Sequence, residues 1–140
     1  LERQVMGMLH RLIKGQNDTV YNQWMHSAYH SLGSFCSGGT IANITALWVA
    51  RNKALRANGS FKGVEKEGLF KAMKHYGYDG LAVLVSERGH YSLKKAADVL
   101  GLGQEGLVAV KTDANNRIIV NDLKAKIVEL EKQNIKPIAV

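Results

Sequence analysis

Three short apolar stretches separated by helix-period segments constrain this chain more than any other feature. Residues 81–85 (Leu-Ala-Val-Leu-Val) and 107–110 (Leu-Val-Ala-Val) read as strands covered on both faces, and residues 136–140 open a third. Between them, Leu93, Ala96, Ala97 and Leu100 fall at helical spacing before Gly101, and Leu123, Ile127 and Leu130 do so after Asn121, a candidate N-cap. Strand, helix, strand, helix, strand at this spacing predicts an α/β fold with right-handed crossovers and a mainly parallel sheet.

The preceding half is helical. Val5, Met8, Leu9 and Leu12 form an amphipathic pattern stopped by Gly15, and residues 15–34 carry no clear period. From Thr40 to Asn58-Gly59 a helix is predicted with apolar residues on most sides (Ile41, Ile44, Trp48, Leu55, with Ala42, Ala46 and Val49), the pattern of a buried helix. Residues 64–75 read as another helix, closed by Gly77.

With 140 residues, 46% apolar and 22% charged, the chain fits one globular domain and is not disordered. A single cysteine excludes an internal disulfide framework and thiolate-rich zinc sites. No apolar run approaches the roughly 18 residues of a membrane span, and no secretory pattern opens the chain, so a cytoplasmic protein without membrane partners is expected. The sequence opens without methionine and stops inside an apparent strand. It is therefore expected to be part of a longer protein.

The net charge is +7, and +5 of it falls in residues 51–75, where seven cations face Glu65 and Glu67. Such a stretch is either a solvated surface or an attractor of nucleic acid. Only Phe61, Phe70 and His75 offer stacking there, and no nucleic-acid-binding signature matches, so no nucleic-acid partner is expected.

Several motifs match in letters and fail in context. Gly101-Leu102-Gly103-Gln104-Glu105-Gly106 spells a dinucleotide fingerprint, but a helix precedes it and a strand follows, the reverse of what pyrophosphate binding requires. Gly33 to Thr40 approaches a triphosphate loop, yet Gly39 stands where the lysine belongs. His26 and His30, four apart, would share a helix face but lack further ligands at useful spacing, so no metal is expected. Asn17, Asn43 and Asn58 head glycosylation triplets without a secretory context, and Cys36 is either a small core residue or a thiol awaiting a histidine.

Two segments survive this filter. Ser37-Gly38-Gly39-Thr40 lies between an expected extended segment (residues 32–35) and the predicted helix. Helix-initial N–H groups, two glycines and two hydroxyls suit an isolated phosphate monoester; the alternative is a glycine turn with Thr40 as N-cap. Ser86-Glu87-Arg88-Gly89-His90-Tyr91-Ser92 follows a strand, at the end of a parallel sheet where ligands bind. His90 there either stacks on a flat heteroaromatic ring or passes protons, or it caps the next helix.

Together these segments carry a resemblance. Residues 33–43, with Ala46-Leu47 and Ala50-Arg51, resemble the phosphate-anchoring region of the group II pyridoxal-phosphate-dependent amino-acid decarboxylases. Residues 85–97 are similar to that family's histidine segment, and residues 135–140 to the strand before its next cofactor loop. The resemblance covers nearly the whole chain and is nearest to bacterial glutamate or aspartate decarboxylases. It implies the large cofactor-binding domain of fold type I, with Ser37, Gly38, Gly39 and Thr40 holding the pyridoxal 5'-phosphate phosphate and His90 both stacking on its ring and serving as the catalytic residue of this segment. It also implies an amino-acid substrate, a homodimer, and a Schiff-base lysine and ring-nitrogen aspartate beyond Val140, so that residues 1–140 alone would be inactive. The alternatives are another enzyme of the same cofactor class, an aminotransferase or a desulfurase-like protein, or a basic binding module without catalysis.

Overall fold

The computed structural model describes all 140 residues, which divide into two compact units, residues 1–37 and 38–140. The first unit holds α1 (Glu2–Lys14) and α2 (Asp18–Trp24). Gly15 closes α1 in the left-handed conformation, and the Asn17 side chain caps α2 by accepting from the Val20 N–H at 3.1 Å. Tyr21 is the buried anchor here, its hydroxyl 3.1 Å from both His10 Nδ1 and the Gln16 N–H. Residues 32–35 form no strand.

The second unit runs α3 (Gly39–Ala54), α4 (Val64–Tyr76), β1 (Gly80–Ser86), α5 (Ser92–Val99), β2 (Leu107–Val110), α6 (Val120–Lys132) and β3 (Ile135–Ala139). The strands form one parallel sheet in the order β2-β1-β3, with Val83 opposite Leu107 and Gly80 opposite Ile135. The predicted α/β alternation is thus present, strand for strand.

Alternation along β1 divides the core. Val83 points to a cluster with Leu47 of α3 and Ala96 of α5, and Leu81 to one with Leu55, Phe61, Val64 and Ala72. Ala82 and Leu84 point the other way, onto Val110 and Leu130, with Leu123 and Ile127 packed alongside. Helices therefore cover both faces of β1, as its unbroken apolar run requires. Leu84, 1% exposed, contributes about 1.5–3 kcal/mol by leaving water.

Four sequence expectations need correction. The predicted burial of the helix from Thr40 fails: in α3 only Leu47 is buried, and Ile41, Trp48 and Val49 are about half exposed. One face packs on α5 and β3, and Ile41, Trp48 and Val49 lie off that face. The helix of residues 64–75 is interrupted at Gly68, where φ 82° and ψ 167° leave helical space. Asn121 does not cap α6, which begins one residue earlier after Ile119, while the Asp122 carboxylate accepts from the Lys111 N–H. The strand expected to be buried at residues 136–140 is β3, half-buried from Ile135 to Ala139 and paired along one edge only, with Val140 exposed beyond it. No helix is long and apolar enough to cross a membrane.

Candidate active site

The start of α3 provides the first half of the site. Helical hydrogen bonding begins with the Ala42 N–H donating to the Gly38 carbonyl at 3.0 Å, so the N–H groups of Gly39, Thr40 and Ile41 precede it. Gly38 is the N-cap residue, and no side chain caps the helix. This removes the reading of Thr40 as N-cap. Thr40 is instead the second helical residue, half-buried. Gly38 and Gly39 are exposed, and a Cβ placed on either meets no atom within 4 Å. Uncapped donors, a favourable helix dipole and open space beside bare backbone are what an anionic oxygen group requires. Ser37, bonded to Gly38, is exposed and is the last residue of the first unit.

The second half follows β1. The chain leaves the strand in a tight turn, with the Gly89 N–H donating to the Ser86 carbonyl at 2.7 Å. A side chain at residue 89 would place its Cβ 2.6 Å from Val85 Cγ2 and 3.0 Å from the Ser86 carbonyl oxygen, so only glycine fits. The turn delivers His90 just beyond the carboxyl end of β1, exposed, with the Tyr91 ring centroid 4.2 Å from its own. Its Nδ1 accepts from the Ser92 N–H at 3.2 Å and lies 2.8 Å from Ser92 Oγ. His90 thus accepts the first N–H of α5 from one residue before the N-cap, Tyr91, whose own side chain makes no capping bond, and Nε2 is the ring nitrogen left outside this arrangement.

Ser92 joins the two halves. Its side chain is fully buried, and Asn43 Nδ2, from the second turn of α3, donates to its Oγ at 2.8 Å. On sequence alone, neither Asn43 nor Ser92 carries a role in the site. The signal was present: Asn43 lies three residues after Thr40, hence on the same helix face, as a polar residue among the apolar Ile41, Ala42, Ile44 and Ala46. Farther along, Arg51 Nη1 donates to the Leu100 carbonyl at 3.0 Å, fastening the end of α3 to the end of α5; burial lowers its pKa.

The other candidates are not brought here. The helix that His26 and His30 would have shared ends at Trp24; His30 packs edge-on against Trp24 and His26 Nδ1 stands 3.5 Å from Gln4 Nε2. No group of three or more histidine, cysteine or carboxylate residues is placed to hold a metal. Cys36 is half-buried in the first unit.

Comparison with known proteins gives this geometry a context. All of residues 1–140 match the pyridoxal-dependent decarboxylase conserved domain. A curated relative, the aspartate 1-decarboxylase of Aliivibrio fischeri (strain ATCC 700601 / ES114), is 67% identical over the whole chain, which spans 26% of that protein's length. Among solved structures, mouse CSAD superposes over 97% of this chain and 23% of its own, with a TM-score of 0.70 at 29% identity. The glutamate decarboxylase domain of a Vibrio parahaemolyticus diaminobutyrate-pyruvate transaminase and L-2,4-diaminobutyrate decarboxylase covers 73% of this chain and 21% of its own, with a TM-score of 0.61 at 26% identity. The family's cofactor is pyridoxal phosphate, and a match that runs from the first residue to the last places this chain in the pyridoxal-dependent decarboxylase family.

Proposed function

We propose that this chain is the amino-terminal part of the cofactor-binding domain of a longer pyridoxal-phosphate-dependent amino-acid decarboxylase, acting on an acidic amino acid. The observation that carries the reading is the uncapped start of α3, joined through Asn43 and Ser92 to the His90 turn. The residues fit the cofactor on their own chemistry. Main-chain N–H groups at Gly39 and Thr40, with open space beside Gly38 and Gly39, suit its phosphate, and the Thr40 hydroxyl adds a donor. Ser37 joins that set on its place in the chain alone. His90, exposed at the end of β1, offers a flat imidazole for its ring.

What the bound cofactor contributes is an electron sink for the pair left when CO2 departs. The residues of this chain hold and orient. The cradle at α3 fixes the phosphate as a handle, and His90 limits ring motion from one side, so that positioning rather than proton transfer is this segment's share of the work. The covalent lysine and the aspartate for the ring nitrogen belong, in this proposal, to residues after Val140, and residues 1–140 alone are inactive. A homodimer in the cytoplasm completes the picture.

The name of the Aliivibrio fischeri relative supports aspartate as the substrate, and that of the Vibrio parahaemolyticus domain supports glutamate as the second candidate. Nucleic-acid binding is not part of the proposal. Within the basic stretch, Arg51 is spent on the Leu100 carbonyl and Lys71 pairs with Glu67 at 3.6 Å. The test is CO2 release by the full-length protein from L-aspartate, L-glutamate and neutral amino acids, with and without pyridoxal phosphate. Cofactor-dependent release from an acidic substrate is expected; amino-group transfer without CO2 would overturn the assignment.

A further inference from the structure

The hydrogen bonds from α3 to His90 run in one direction. His90 Nδ1 receives the Ser92 main-chain N–H at 3.2 Å, and a main-chain N–H can only donate. That nitrogen therefore carries no proton in the neutral ring. Ser92 Oγ, 2.8 Å from the same Nδ1, must then donate its own proton there. Asn43 Nδ2, also donor-only, supplies the hydroxyl with its incoming bond at 2.8 Å. The hydroxyl is fully buried, so water does not compete for it.

We propose that Asn43 and Ser92 are positioning residues that lock His90 in the tautomer protonated at Nε2, so that its one unengaged nitrogen is a hydrogen-bond donor and not a base. Two donors converging on Nδ1 also fix the ring's rotation, leaving its exposed nitrogen and its plane set before any ligand arrives. That the ligand so awaited is the cofactor rests on the function proposed above; the tautomer does not. The lock reaches from the same helix that begins at the glycine cradle, so one rigid element sets both the anion-binding backbone and the orientation of the imidazole.

The direction of the relay is testable by reversing it. Asn43→Asp keeps the shape of the side chain but can only accept, so it draws the Ser92 hydroxyl proton toward α3 and leaves Oγ a lone pair facing His90 Nδ1. Side-chain nitrogen NMR of the histidine-labelled full-length protein, at a pH where imidazoles are neutral, reads the proton position; the His90 signals are identified by their loss in His90→Phe. In the unsubstituted protein, a protonated-type signal at Nε2 and an unprotonated-type signal at Nδ1 are expected. In Asn43→Asp the two signals are expected to converge or exchange, and in Asn43→Ala to broaden toward each other. A purely space-filling role for Asn43 would leave the signals of Asn43→Asp unchanged, and that result overturns the proposal. So does a proton on Nδ1 in the unsubstituted protein, a measurement that stands even if a variant fails to fold. Failure to bind pyridoxal phosphate would sink the cofactor reading while leaving the tautomer result intact.

Discussion

Asn43 and Ser92, 49 residues apart in sequence, meet at 2.8 Å inside the second unit and connect the helix that starts at the glycine cradle to the turn that carries His90. Their bond is also a packing element, because Ser92 is wholly shielded from water. Removing Asn43 leaves a buried hydroxyl short of one partner. Asn43→Ala is expected to lower unfolding free energy by about 1–3 kcal/mol, read from urea denaturation. Ser92→Ala removes the group that would otherwise be stranded, so the double variant should cost less than the two single losses added together. Strict additivity would show that the pair does not interact in solution.

The cradle separates binding from folding. A Cβ at Gly38 or Gly39 meets nothing within 4 Å, and Gly38, at φ 166°, is in extended backbone open to any residue. Gly39→Val is therefore expected to change stability by no more than about 0.5 kcal/mol. The same substitution fills the space beside the uncapped N–H groups and should weaken pyridoxal phosphate binding by tenfold or more, about 1.4 kcal/mol. Thr40→Ala should weaken it by a smaller factor through loss of one hydroxyl. Cofactor titration of the full-length variants beside their urea curves tests this directly: unchanged affinity in Gly39→Val would move the phosphate elsewhere.

Much of this was legible in the chain, for identifiable reasons. The strands at β1 and β2 announced themselves because a parallel strand under helices must be apolar along its length, whereas the edge strand β3 carries Lys136 and is only half-buried. The cradle and His90 were visible because glycine pairs and a histidine after a buried strand are local signals. The Asn43–Ser92 link was not, since nothing in a sequence fixes which residue of α3 faces which residue of α5. Burial of α3 was misjudged for a related reason: Trp48 and Val49 are apolar, but composition does not say whether a partner within the chain covers them. Asn121 looked like a cap, yet capping depends on backbone angles rather than residue type, and the chain enters α6 at Ile119.

Acid sensitivity has a specific source near the site. The Glu87 carboxylate, next in sequence after β1, receives the Thr112 hydroxyl and then the Thr112 N–H at 2.8 Å, and these bonds hold its pKa below the ordinary 4.5. A carboxyl with a lowered folded-state pKa stabilises the fold above its unfolded-state value and loses that contribution as pH falls through the folded-state value. Thr112→Val removes the hydroxyl donor. It should leave the protein less stable than the parent near neutral pH, and the gap should close as pH drops below 4.5 and the carboxyl protonates in both. Urea midpoints across an acid series read this; a gap that widened toward low pH would contradict the assignment.

Gly68 gives the sharpest local test, because the sequence pattern alone argues against it. Residues 64–75 have helical periodicity, and a glycine inside such a pattern would be expected to cost little more than its entropy. The backbone instead breaks there, at φ 82° and ψ 167°, a region essentially closed to residues with a side chain. The break lets Val64, which precedes it, and Ala72, which follows it, both reach the cluster around Leu55 and Leu81, while Phe70 remains 84% exposed. In a continuous helix Gly68→Ala would stabilise, by the roughly 1 kcal/mol that separates the two residues in helix propensity. With the observed angles it should destabilise by about 1–3 kcal/mol, since the added methyl meets no neighbour within 4 Å and the penalty is backbone strain alone. The sign of the shift in urea midpoint therefore decides between a broken and an unbroken α4.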